Sequence, residues 1–145
     1  MTEEADRPRV AVSDRQDRPV DPAALVGLAR VALRGEGVVN AELSVSLVTS
    51  EEMAQLHQRY MREPGPTDVL SFPQDESESQ NGRSRLLGDV VICPDVAAEQ
   101  NPDLQAELRL LVVHGILHLL GYDHRDEEEQ RRMWERQDTY AGARP

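Results

Sequence analysis

Hydrophobic and polar positions along the chain change period several times, and the changes mark its elements. Residues 10–14, VAVSD, alternate loosely and read as a short strand. Asp21 then precedes Pro22 and a helical spacing of Ala24, Leu25, Leu28, Val31 and Ala32, an acidic cap followed by proline in the first turn. Gly35 and Gly37 end that helix. Residues 42–48, ELSVSLV, alternate cleanly, as a strand with one buried face does. Ser50 opens a second helix in which Met53, Leu56 and Tyr60 share a face, and Glu51 and Glu52 suit the positive end of its dipole. The prolines and glycine of residues 63–67, EPGPT, make a loop that leads into a short strand at 69–72, VLSF, stopped by Pro73.

A hydrophilic connection with an Asn81-Gly82 turn separates this strand from the next, GDVVICP at 88–94. Residues 95–103 mix helical and loop character. A further helix begins near Leu104, and from Leu110 to Leu120 it is apolar nearly all round, the mark of a buried central helix. Residues 126–140 read as a surface helix, with Asp126 as cap, acid in the first turn, and Arg131, Arg132 and Arg136 later. The sum is an α+β single domain over residues 1–145. About four strands form one sheet, packed with about four helices around the buried central one. Residues 1–8 are expected to form a flexible tail.

Composition narrows the setting. No run of about 18 apolar residues exists, so no segment reads as a membrane span. The first twenty residues are charged throughout and lack the apolar region of a secretory signal, which points to the cytoplasm. The single cysteine, Cys93, fits the same reducing compartment, and on an apolar strand it is expected to be buried and inert. The formal net charge is −11, and every basic residue is arginine. Such acidity works against nucleic-acid binding, so any RNA contact must rest on a local arginine cluster.

Three of the four histidines fall in one short stretch, HGILHLLGYDH. His114 and His118 are four residues apart on the buried helix and therefore lie on one face, as two imidazoles converging on one ion must. On a continued helix His124 would point elsewhere. Gly121 resolves this, because glycine readily adopts the left-handed conformation that ends a helix and folds the chain back. Three histidines with a fourth position open is the arrangement of catalytic zinc, at one ion per chain. Buried imidazoles without partners would be costly, and a metal satisfies all three together. The fourth histidine, His57, is distant in sequence and reads as a surface residue.

The spacing matches the metzincin zinc motif H-E-x-x-H-x-x-G-x-x-H except at one place. Where a protease has its glutamate base, this chain has Gly115. A glycine inside a helix costs about 1 kcal/mol relative to alanine, so its presence points to close approach by another backbone or by substrate. The ligand set of the proteases is kept without their base, and a different hydrolysis is implied.

HGILHLLGYDH resembles the signature of the YbeY family of bacterial zinc proteins. PTDVLSFP at 66–73 and LLGDVVICP at 86–94 resemble two further blocks of that family, in the same order, and the similarity runs from about Val10 to Asp138. The resemblance implies a zinc-dependent endoribonuclease of single-stranded RNA, acting in 16S rRNA 3′-end processing and ribosome quality control. It implies rRNA precursor and the ribosome or its proteins as partners. It places zinc on His114, His118 and His124 and the 66–73 segment beside the metal. Many family members carry arginine at the position of Met61, and the implied substitutes are Arg59 or Arg62.

Those two arginines, spaced i, i+3, could bind phosphate from one side of the second helix or be solvated surface residues. Asp123 could orient a histidine, assist proton transfer, or serve the turn. Ser71 reads as a strand residue and not as a nucleophile. The general base is not identifiable. A ribosome-associated zinc protein without turnover, a metalloprotease-like hydrolase and a small-molecule metal hydrolase remain as alternatives.

Overall fold

The computed structural model describes residues 8–74, 85–123 and 125–142. Residues 1–7 of the expected tail, the Asn81-Gly82 turn and His124 lie outside the described residues. The elements run β1 (Arg9–Asp14), α1 (Pro22–Gly35), β2 (Ala41–Leu47), α2 (Ser50–Met61), β3 (Val69–Pro73), β4 (Arg85–Ile92), α3 (Pro94–Gln100), α4 (Leu104–Leu119) and α5 (Glu127–Ala141). Among the described residues the domain is α+β with a single four-stranded sheet, as expected, but with five helices. The additional one is α3, a short helix begun by Pro94 within the stretch whose character the pattern leaves mixed.

The sheet order is β1-β2-β4-β3. β1, β2 and β4 are parallel, and β3 runs antiparallel to β4 at the edge. Alternation on β2 buries Ala41, Leu43, Val45 and Leu47 toward one face. α1 covers that face through Leu25, Ala29, Ala32 and Leu33, and α4 covers it through Leu108, Leu111, Val112 and Ile116. α2 packs on the other face, where Met53 meets Val48, Leu70, Val91 and Cys93. α4 is buried from both sides, because Val113 and Leu117 meet Leu28 of α1 and Met133 of α5. A helix apolar nearly all round is what such a position requires.

The caps form where the sequence places them. Asp21 accepts from the Ala24 amide and Asp126 from the Glu129 amide, each closing a first turn. The second helix opens at Ser50 as expected, with Thr49 as its cap accepting from the Glu52 amide. Pro73 continues β3, paired with Gly88, where it was expected to stop the strand. β3 is an edge strand, and there the missing N–H of proline is tolerated. Gly88 has φ +139°, and a Cβ there would strike the Phe72 carbonyl, so the 86–94 block needs glycine at this crossing.

Candidate metal centre and its cleft

α4 brings His114 and His118 together. Their rings lie 4.6 Å apart between centroids, inclined by 70°, and both side chains are half-buried. The Nδ1 of His114 donates to Oε1 of Gln137 on α5 at 2.5 Å. This bond fixes the tautomer and leaves Nε2 as the lone-pair nitrogen, the state in which an imidazole binds a metal. Gln137 is 7% exposed, on the stripe of α5 that also buries Met133. Sequence reasoning misses this residue. The available signal is an uncharged polar side chain four positions after Met133 on a helix otherwise crowded with charge.

After His118 the helix ends as expected. Gly121 has φ +104° and donates to the His118 carbonyl, while Tyr122 donates to the Leu117 carbonyl. These two bonds form a Schellman cap, with Tyr122 packed in the cluster that contains Leu117. The chain therefore leaves the helix axis two residues before Asp123. The donor set fits a soft-borderline cation such as zinc: two imidazoles one turn apart, one with its tautomer set, and a third histidine in the sequence just after a forced reversal. Among the described residues, which exclude His124, no group of three or more His, Cys, Asp or Glu side chains could hold a metal.

Gly115 lies between these histidines, and its close neighbours are side chains rather than the backbone or substrate expected for it. A Cβ here would sit 2.6 and 2.9 Å from the methyls of Val90 and 3.3 Å from Ser71 Oγ. The Ser71 hydroxyl donates to the Gly115 carbonyl at 3.3 Å. Position 115 is thus where α4 touches the sheet, and no carboxylate has room there. Ser71 acts as a strand residue that ties sheet to helix.

The segment after the cap is tied down from a distance. Tyr122 donates to Oε1 of Glu36 at 2.6 Å, Tyr140 donates to Oε2 at 2.5 Å, and Arg136 pairs with the same carboxylate at 3.3 Å. Glu36, the C-cap of α1, has a side chain only 6% exposed. Burial first, and then the adjacent Glu36 carboxylate, push the Tyr140 phenol up to about 12 and raise Tyr122 as well. Gly35 lies in the last turn of α1, one residue before this cap, and makes room for Tyr140, whose ring would clash with a Cβ there.

The remaining candidates are spread more widely. Arg59 is exposed in the last turn of α2, and Arg62 is exposed as the left-handed cap beyond it, with φ +57°. The helix ends at Met61, so the two are not successive positions of one helical face. Neither lines the cleft at His114. Asp123 pairs with Arg125 at 3.2 Å, with nearly half of its side chain exposed. Cys93 is free and fully buried, as expected. His57 is not the surface residue expected: its side chain is 13% exposed, and Nδ1 donates to the Gly65 carbonyl at 2.8 Å. Its Nε2 faces Glu63 at 3.4 Å, so the ring closes the loop after α2.

A cleft of about 410 Å³ opens beside His114, with Asp68 and Val69 on one wall and Trp134, Gln137 and Asp138 of α5 on another. Val69 begins β3, so the 66–73 block shares this cleft with His114. A cleft of similar volume, about 420 Å³, lies at β1, β2 and β4, where Arg9 and Arg30 are balanced by Glu42 and Asp89. Only the first brings an imidazole to its wall.

Fold and cleft define the class: a single-domain α+β protein whose buried central helix presents paired histidines beside a groove. The family model described as endoribonuclease YbeY matches residues 13–143. The chain is 49% identical to the endoribonuclease YbeY of Thermobifida fusca, covering 86% of each chain. It is 42% identical to that of Streptomyces coelicolor, covering 86% of this chain and 83% of the other. A solution structure from Thermotoga maritima matches with TM-score 0.57 at 28% identity, over 92% of this chain and 86% of that one. The chain belongs to the YbeY family and is an enzyme of the hydrolytic nuclease class.

Proposed function

We propose that this protein is a zinc-dependent endoribonuclease that cleaves single-stranded RNA at the 3′ end of 16S rRNA precursors. In this reading it works in the cytoplasm, on ribosomal particles, as part of ribosome quality control. The observation that carries it is the His114–His118 pair with Gln137 behind it, in a chain that belongs to an endoribonuclease family. His114, His118 and His124 would hold one zinc ion. When bound, that ion supplies a Lewis acid for the phosphodiester and a hydrolytic nucleophile at neutral pH. The chain's own contribution is placement. Gln137 holds one imidazole in the ligating tautomer, and the Schellman cap at Gly121 ends α4 three residues before His124 in sequence. The 68–69 wall and α5 flank the site.

Proteolysis is disfavoured at Gly115, where Val90 occupies the direction a glutamate base would need. No helix among the described residues is long and apolar enough to cross a membrane. The test compares zinc-replete protein on precursor rRNA and on an unfolded protein substrate, with and without chelator. Chelator-sensitive RNA cleavage, lost together with bound zinc in His118→Ala, is the expected result. Tight ribosome binding without cleavage, or cleavage of the protein substrate alone, would sink the proposal.

A further inference from the structure

The cleft beside His114 has a wall chemistry that suits only part of an RNA chain. Trp134 is the one tryptophan of the sequence and is 52% exposed, although α5 carries buried positions directly beside it at Met133 and Gln137. Trp134, Gln137 and Asp138 are i, i+3 and i+4, so one side of α5 carries all three into the cleft. Asp68 and Val69 at the start of β3 and Leu110 and Leu111 of α4 complete its lining. Neither lysine nor arginine lines it among the described residues.

Away from the histidines, where the proposed zinc would attract phosphate, a groove with two carboxylates and no basic side chain repels it. An apolar lining with a half-exposed indole accepts the π-face of a base, because base–aromatic stacking is tolerant of sequence and strong in water. Carboxylates at its edge accept hydrogen bonds from exocyclic amino groups, as they do from cytosine N4. Gln137 has committed Oε1 to His114, so its amide NH₂ is the group left to donate. Cytosine, adenine and guanine offer amino groups to such an edge. Uracil has no exocyclic amino group, and its single N3–H lies between two carbonyl oxygens that face carboxylates unfavourably, so it suits this edge less well.

We infer that this cleft is a nucleobase subsite, in which one unpaired, amino-bearing base of the RNA stacks on Trp134 and is read at its edge by Asp138 and Asp68. The inference rests on the endoribonuclease reading and specifies which part of the substrate sits beside His114. The phosphate backbone then runs along the histidine side of the cleft, and the acidic walls keep it out of the part beside Trp134.

Trp134 supplies its own probe, since all tryptophan emission comes from it. Oligo(A), oligo(C) and oligo(U) of about eight nucleotides, within the range such single-strand sites span, are titrated into the zinc-loaded protein. Emission is followed, and affinity is measured separately by anisotropy of end-labelled RNA. Oligo(A) and oligo(C) should quench the emission and bind more tightly than oligo(U). Trp134→Ala should weaken oligo(A) binding about 5- to 150-fold, the range expected when one base stack is removed, and Trp134→Phe should recover most of it with zinc content unchanged. Asp138→Asn should remove the preference against oligo(U). RNA that binds and is cleaved without changing the emission, with Trp134→Ala equal to wild type, overturns the subsite and leaves the nuclease reading standing. Equal quenching by all three oligonucleotides overturns the reading of the base edge. Failure to bind any RNA overturns both.

Discussion

His114 is useful to a metal only if its Nε2 keeps its lone pair, and the residue that secures this is on another helix. Gln137 is an amide and not an acid, so it fixes the ring without adding charge beside the proposed metal site. Replacing it with leucine preserves volume and removes the acceptor. Gln137→Leu should fold, and its zinc affinity should fall by about 10- to 100-fold, the usual cost of removing such a supporting bond. Chelator competition on the purified protein measures this; an unchanged affinity would mean the bond does not orient the ligand. Gly115 shows the opposite relation between residue and site. In the sequence it stands at the place of a missing base, and the structure shows why no base fits: Val90 and Ser71 fill the space. The identity of that approaching group is not legible in sequence, because a helical glycine reports only that something comes close.

Elements stop and turn here by local chemistry, and that part is legible in the sequence. Asp21, Asp126 and Gly121 each act within four residues of their own position. Contacts between distant segments are not. Glu36 meets Tyr122 and Tyr140 across 86 and 104 residues, with no periodic signature to announce them. His57 escapes sequence reasoning for the same reason, since it bonds a loop carbonyl and not a neighbour on its own helix. The reversal at Gly121 is testable. At φ +104° alanine is strained by roughly 1–2 kcal/mol. Gly121→Ala should lower the urea midpoint accordingly and, if His124 is a zinc ligand as proposed, weaken zinc binding as well, since the cap lies three residues before it in sequence; a variant that loses stability but binds zinc like wild type would separate the two roles. The Glu36 junction of α1 and α5 predicts an alkaline limit. The folded-state value of Tyr140, about 12, lies above the ordinary tyrosine value of 10.0, so its stabilisation is complete below pH 10. It falls as pH rises toward and through 12, because the unfolded chain releases the proton first. Urea midpoints from pH 9 to 12 should decline less steeply for Tyr140→Phe than for wild type, although the variant starts lower at neutral pH.

At the scale of the whole molecule the difficulty is charge, since a protein of net −11 must hold a polyanion. Long-range attraction is absent, so affinity has to come from a base held in an uncharged manner and from a few cations at short range. Arg59 and Arg62 are the cations that the sequence nominates. The structure leaves both exposed at the end of α2, on a helix seated against the sheet by Met53 and followed by a loop that His57 closes. They lie outside the histidine cleft, so if they meet RNA it is to hold the strand and not to cleave it. Each phosphate neutralised on single-stranded RNA adds about 0.7 to the slope of log affinity against log salt. Arg59→Ala combined with Arg62→Ala should therefore weaken RNA binding at low salt and flatten that slope by about 0.7 for each phosphate that no longer meets an arginine. Zinc content should stay the same, and cleavage at saturating RNA should change far less than affinity. An RNA titration across a salt series decides it. If affinity and slope both match wild type, these arginines are solvated surface residues and the backbone crosses the acidic surface elsewhere.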